Sequence, residues 1–286
     1  MLDSMLRFAP PPRRVPFSLS IVSSLNVIAQ IGWAVFGFGM IFFWGFVTNA
    51  DFSFITFRGA RANASGVVTR VVDTSASEGR RRIRANHYQY SVAGKSFDGT
   101  SYSNQSSLSP GESVDVEYMV DSPEQSRIAG QRRKMFGAGV AFVTIFPLIG
   151  LALLAGAMRW GSRRGRLLRD GVLTSGVLKA KRPTNMTVNN RRVFELDFEF
   201  TARDGRKHIA KARSSITDRL EDERQELLLY DPEKPEDAVL IDEAPSRPKL
   251  DETGGLAPRP VAAVLAMILP ALVIAGNTLA LLAKLN

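Results

Sequence analysis

The chain has 286 residues, 37 lysines and arginines against 28 aspartates and glutamates, a net charge of +9 and no cysteine. The missing thiols exclude disulfides, thiolate metal sites and cysteine nucleophiles. The basic balance invites a nucleic-acid reading, but no basic stripe or RNA-binding motif accompanies it, so no nucleic-acid partner is expected.

In chain order, residues 1–24 read as an N-terminal tail. Leu25–Val47 then runs without an ionisable residue. At 1.5 Å per residue such a helix reaches about 34 Å, enough to cross a hydrocarbon core of about 30 Å. Trp33 and Trp44 are candidate interfacial aromatics. The run is longer than a signal-peptide core and is expected to be retained.

Residues 60–128 form the first polar module. Ser65-Gly66-Val67-Val68 opens a strand that ends near Val72, and Asp73–Arg82 reads as a polar, arginine-rich connection. Tyr88, Tyr90 and Val92 alternate with Gln89 and Ser91, the period of a half-buried strand. Ala93-Gly94-Lys95 and Pro110-Gly111 read as turns. Val114, Val116 and Tyr118 alternate again, and Asp121-Ser122-Pro123 ends that strand.

The second apolar span is Phe136–Met158, with Gln131-Arg132-Arg133-Lys134 before it and Pro147 inside it, where a membrane helix tolerates proline. Ala152 and Gly156 form a small-xxx-small pair. Arg159, Arg163, Arg164, Arg166 and Arg169 follow directly. These five are the candidate lipid-headgroup contacts, because arginine at a membrane edge sets topology and meets anionic lipid.

Residues 171–242 form the second module. Ser175-Gly176-Val177-Leu178 repeats the first opening, and Asn189-Asn190 suits a hairpin turn. Phe194, Leu196, Phe198 and Phe200 alternate with Glu195, Asp197 and Glu199. Asp204-Gly205 matches Ala93-Gly94, and Tyr230 and Pro235 match Tyr118 and Pro123. Ile216–Gln225, without glycine or proline, reads as a helical turn. Matching order at near-constant offset points to a duplicated module. Residues 243–260 read as a linker, and Val261–Leu282 as the third span, after Pro258-Arg259-Pro260.

The expected fold is therefore an integral membrane protein with three transmembrane α-helices and two small, mainly antiparallel β modules, each a barrel or sandwich. With the N-terminus inside, eleven basic residues flank the inner ends of the spans and seven the outer ends. That balance favours a cytoplasmic N-terminus, with the modules on opposite faces of the membrane.

Gly66-Val67-Val68, Tyr88-x-Tyr90-x-Val92-x-Gly94, Pro110-Gly111-Glu112-x-Val114-x-Val116-x-Tyr118 and Pro123, in that order, resemble the bacterial membrane proteins grouped as domain of unknown function 3592. Tyr230-Asp231-Pro232-Glu233-Lys234-Pro235 stands in the second module for that family's tyrosine-plus-proline ending, although Arg224-Gln225-Glu226 replaces the Pro-Gly-Glu turn. The resemblance implies architecture and a prokaryotic cell membrane. It brings no reaction, ligand or catalytic residue.

Chemistry is sparse. His87 and His208 lie in different modules, so they share no metal, and both are expected to face solvent. No zinc-hydrolase, nucleophile-elbow, P-loop or dinucleotide motif appears. Glu195, Asp197 and Glu199 share a strand face that is expected to be solvated, and Arg80-Arg81-Arg82 with Arg84 reads as a loop. Neither catalytic residues, metal nor cofactor is expected. The sequence reads as a non-enzymatic, membrane-anchored interaction or scaffold protein whose partners are the lipid bilayer and a protein it does not identify. The alternative is a subunit of an oligomeric membrane complex or small channel with the modules as assembly domains.

Overall fold

The computed structural model describes residues 8–105, 107–188, 190–221, 224–243, 248–251 and 253–285. Arg7 and Arg247, which entered the flank comparison, and Asn189 of the expected hairpin lie outside the described residues. The chain divides into two compact units, residues 35–148 and residues 1–34 with 149–286.

Three helices are long and apolar enough to cross a membrane by length and composition, within Val27–Asn49, Ala138–Asp170 and Pro260–Leu285. Helix α1 (Phe17–Ser24) precedes α2 (Val27–Phe46), so the expected tail already carries a helix. Its Leu19 is buried. The spans are sequences of mostly exposed apolar side chains, as lipid-facing helices should be.

The first unit holds the first module. β1 (Ala50–Asp51) follows the first span, and a one-turn helix, α3 (Ser53–Thr56), follows β1. Then come β2 (Arg61–Glu78), β3 (Arg81–Val92), β4 (Lys95–Ser103), β5 (Ser113–Met119) and β6 (Ser122–Ile128). β7 (Phe136–Gly137) pairs in parallel with β1, and a 3-10 segment (Ala138–Thr144) leads into α4 (Ile145–Asp170). The five main strands form one antiparallel sheet in the order β4-β3-β2-β5-β6.

The second unit holds β8 (Val172–Val188), β9 (Arg191–Thr201), β10 (Lys207–Ser214), β11 (Glu226–Tyr230) and β12 (Ala238–Leu240), in the order β10-β9-β8-β11-β12. Helix α5 (Pro260–Leu285) is the third span. Numbered within its module, each sheet therefore reads third, second, first, fourth, fifth. The third and fifth strands also approach each other, which curls the sheet into a small barrel.

The likeness extends to irregularities. β2 carries a bulge between Val68 and Arg70 and a second between Asp73 and Ser77. β8 carries bulges between Leu178 and Ala180 and between Pro183 and Thr187. Every one of these positions corresponds at an offset of 110 residues. At the second bulge the Thr74 hydroxyl donates to the Ile83 carbonyl at 2.7 Å, and Thr184 donates to Val193 at 2.8 Å. The first bulge adds the extra residue that lets one long strand bend and serve both halves of a barrel. Gly66 and Gly176 mark the bend: a Cβ there would sit 2.7 Å from Val116 and 2.8 Å from Leu228.

Each barrel is filled by the alternating residues. Tyr88, Tyr90, Val116 and Ile128, with Leu108, Phe97 and Tyr118 around them, fill the first. Leu196, Phe198, Phe200, Leu220, Leu228, Tyr230 and Leu240 fill the second. The expected helical turn is the 3-10 segment Asp218–Leu220, whose Leu220 closes the core. Two strands differ from expectation. Asp73–Arg82 is no loop but the paired outer part of β2 and β3, turning at Gly79-Arg80. Ser122–Ile128 is a strand although its residues are mostly polar, because edge pairing to β5 is made by the backbone.

Candidate functional site

A polar cleft of the first module is positioned from the end of the first span. Asp51 is buried, and its Oδ1 accepts from the Ser53 amide at 2.7 Å and from the Ser53 hydroxyl. Its Oδ2 accepts from the Arg133 amide at 2.6 Å. Burial opposes the charge, but the hydrogen bonds from Ser53, Arg133 and Lys134 together hold the carboxyl below its usual range. One carboxylate thus fastens the segment after the first span to the segment before the second. The parallel pairs Ala50–Phe136 and Asp51–Gly137 do the same through the backbone.

This fastening fixes Arg133 and Lys134 beside the barrel. The Arg133 guanidinium lies 5.0 Å from the Phe57 ring centroid, and Arg127 lies 5.2 Å from the same centroid. Arg133 and Lys134 line a cleft of about 540 Å³ with Arg70, His87, Asp98, Thr100 and Glu124. Tyr88 and Ser126 form its floor, joined at 2.9 Å. Tyr88 passes beneath Gly99, where a Cβ would overlap its ring. Burial raises the Tyr88 hydroxyl above its ordinary range, so it stays a proton donor.

His87 stands at the side of this cleft, half-buried rather than facing bulk solvent. Its Nδ1 lies 2.9 Å from the Thr100 hydroxyl and its Nε2 lies 3.3 Å from Arg70. A guanidinium has only donors, so Nε2 must accept and Nδ1 carries the proton. Burial, and then the Arg70 charge, lower its pKa, which agrees with a neutral ring.

The five arginines after the second span are placed by a single feature: α4 continues past the apolar span to Asp170. Arg163 and Arg166 both donate to the Asp237 carboxylate, Arg166 at 2.6 Å, and Arg163 also reaches the Ala238 carbonyl at 3.2 Å. Arg164 is buried, with its guanidinium 5.3 Å from the Trp160 ring centroid. Arg169 pairs with Asp170 at 2.9 Å, and Arg159 is exposed. Two of the five therefore face the second module's own carboxylate, a pairing hidden from sequence because Asp237 lies about 70 residues away. Arg13, from the tail, closes the end of the same helix. It donates to the carbonyls of Leu168 at 3.2 Å and Gly171 at 2.8 Å.

The second module's carboxylates form a charged face. Glu195 pairs with Arg213 at 2.7 Å, Glu199 with Lys207 at 3.1 Å, and Asp197 with Arg182. The Arg213 and Lys207 hydrogen bonds lower the Glu195 and Glu199 pKa values, so neither is poised as a general acid near neutrality. His208 packs on Phe200 at 5.9 Å between ring centroids and lies 3.6 Å from Asp204, so it is half-buried, not solvent-facing. Among the described residues no group of three or more His, Cys, Asp or Glu is placed to hold a metal.

Sequence reasoning missed the cleft because its lining comes from five separate segments. The available signals were Asp51, an acidic residue directly after an apolar span, and Arg133-Lys134, directly before the next, which line the cleft. No protein-family model matches this chain, and no curated protein matches it.

Proposed function

We propose that the chain is a membrane-anchored interaction protein whose two β barrels are display modules. The observation that carries this reading is that both barrels have filled interiors and each has polar contacts with chain next to a span. Asp51 joins the segment after the first span to the segment that follows the first barrel, and the Arg163–Asp237 and Arg166–Asp237 pairs join the helix after the second span to the second barrel. Filled barrels offer their loops, arms and strand edges rather than an inner chamber. The arm of β2 and β3 is the most prominent of these, with Arg80, Arg81 and Arg82 exposed at its tip.

The proposal includes duplication of one ancestral module, supported by shared strand order and by bulges at a constant offset. It includes membership of the domain of unknown function 3592 group and a prokaryotic cell membrane, supported by the motifs alone. The N-terminus is placed in the cytoplasm, with the first module outside and the second inside, supported by the basic residues near the spans.

A photo-crosslinking residue at Arg81 and, separately, at Arg206 of the full chain tests the reading in living cells. Discrete adducts at either position, lost when Arg80 and Arg82 or neighbouring turn residues become serine, are expected. Absence of adducts at both positions, together with ion flux through reconstituted protein, would favour the channel-subunit alternative instead.

A further inference from the structure

We propose that the cleft of the first module binds the phosphate of an anionic phospholipid headgroup. Three cationic side chains, Arg70, Arg133 and Lys134, line it, and none has a carboxylate partner among the described residues. The Thr100 and Tyr88 hydroxyls add polar groups on one side and the floor. Arginine and lysine around a hydroxyl-bearing floor suit a phosphate oxygen better than a neutral ligand.

Two carboxylates, Asp98 and Glu124, also line the cleft, and Asp98 is held by Gln89 at 3.3 Å. With His87 neutral, the lining carries one positive charge more than it carries negative. That balance matches a singly charged phosphodiester better than a doubly charged free phosphate.

The location favours lipid as the source. Arg133 and Lys134 stand immediately before the second span, and Asp51 locks them to the end of the first. On α3, directly after that end, Phe54 and Ile55 are 57% and 58% exposed. Exposed apolar side chains beside cations, at the mouth of two spans, are what a headgroup layer receives. This inference does not rest on the display-module reading and survives its failure.

The test uses the full chain in a non-ionic detergent with ring nitrogen-15 labels on its two histidines. His87 reports the cleft, and His208 in the other module is the internal reference. Dihexanoylphosphatidylglycerol is expected to shift His87 saturably and leave His208 unmoved, while dihexanoylglycerol, lacking phosphate, moves neither. Lys134→Gln and Arg133→Gln should each weaken the response about tenfold with the melting temperature retained. Lys134 is exposed, so its variant keeps the test usable if the Arg133 variant unfolds. If inorganic phosphate moves His87 as effectively as the lipid, the phosphate site stands and its ligand is a soluble phosphate. No saturable shift with either probe, an equal shift with dihexanoylglycerol, or a response unchanged in the Lys134 variant overturns the proposal.

Discussion

At the residue scale, two positions decide how the first module is held and packed. Asp51 accepts from both the segment after the first span and the segment before the second. An unfolded aspartate titrates near ~3.9, and Asp51 in the fold titrates lower. Its stabilisation is therefore complete above that unfolded value and is lost as pH falls through the folded one. Asp51→Ala should cost about 1–3 kcal/mol by stranding buried amides. In acid, the gap between wild type and variant should narrow below about pH 4, read by thermal unfolding across pH. A gap that widens in acid contradicts the assignment. Gly99 acts by what it lacks. Gly99→Ala would force the Tyr88 ring aside and break its 2.9 Å contact with Ser126. A loss of about 1–3 kcal/mol is expected in urea unfolding, with Gly94→Ala as the contrasting case where no atom lies near. Gly94 has positive φ, so its cost comes from backbone strain alone and leaves the Tyr88–Ser126 contact intact.

At the element scale, α4 is both a span and a strut. Its apolar part ends near Met158, but Leu167 and Leu168 continue the helix into a cluster with Leu19, Leu229, Val239, Ile241 and Leu256. The second module and its span therefore form one body. Leu167→Ala should destabilise the second module by roughly 2–5 kcal/mol, the cost of emptying a core site. Asp237→Asn weakens both arginine pairs at once and should couple with Arg166→Gln in a double-mutant cycle by about 0.5–3 kcal/mol. Additive effects would mean the pairs are only surface contacts. The same cluster takes in two described residues of the expected linker. Leu250 and Leu256 bridge to each other, and Leu256 is buried. Sequence showed Pro and Gly there but not the partner for two isolated leucines. Strands with a strict period were legible, Phe194 to Phe200 above all, because one face must enter the core. The arm at Asp73–Arg84 was not. Ile83 is its one fully buried side chain among the described residues, so no hydrophobic period marks it, and its backbone pairing leaves no trace in residue type. The helix extension to Asp170 was missed for a related reason. Arginines at a membrane edge serve lipid and protein carboxylates alike, and only the fold brings Asp237 to them.

At the scale of the whole molecule, connectivity carries the topology. One span lies between the modules, so a chain that crosses three times puts them on opposite faces. The sequence contains no cysteine, so any introduced thiol is the sole reporter. The sites must be chosen from the fold. Ser101 would be a poor one: it is fully buried, and its hydroxyl accepts from the Ile128 amide at 2.8 Å. Lys95, at the hairpin start of β4, and Lys211, on β10, are exposed. With single cysteines at these two positions and intact cells treated with a membrane-impermeant maleimide, Lys95→Cys alone is expected to label. Labelling should extend to Lys211→Cys only after the membrane is permeabilised. Labelling of Lys211→Cys alone reverses the orientation and puts the phosphate cleft in the cytoplasm, where soluble phosphate esters compete with lipid for it. Labelling of both in intact cells means the second apolar helix does not cross. In that case α4 is a strut without being a span, and the arginines facing Asp237 hold the second module to the same side of the membrane as the first.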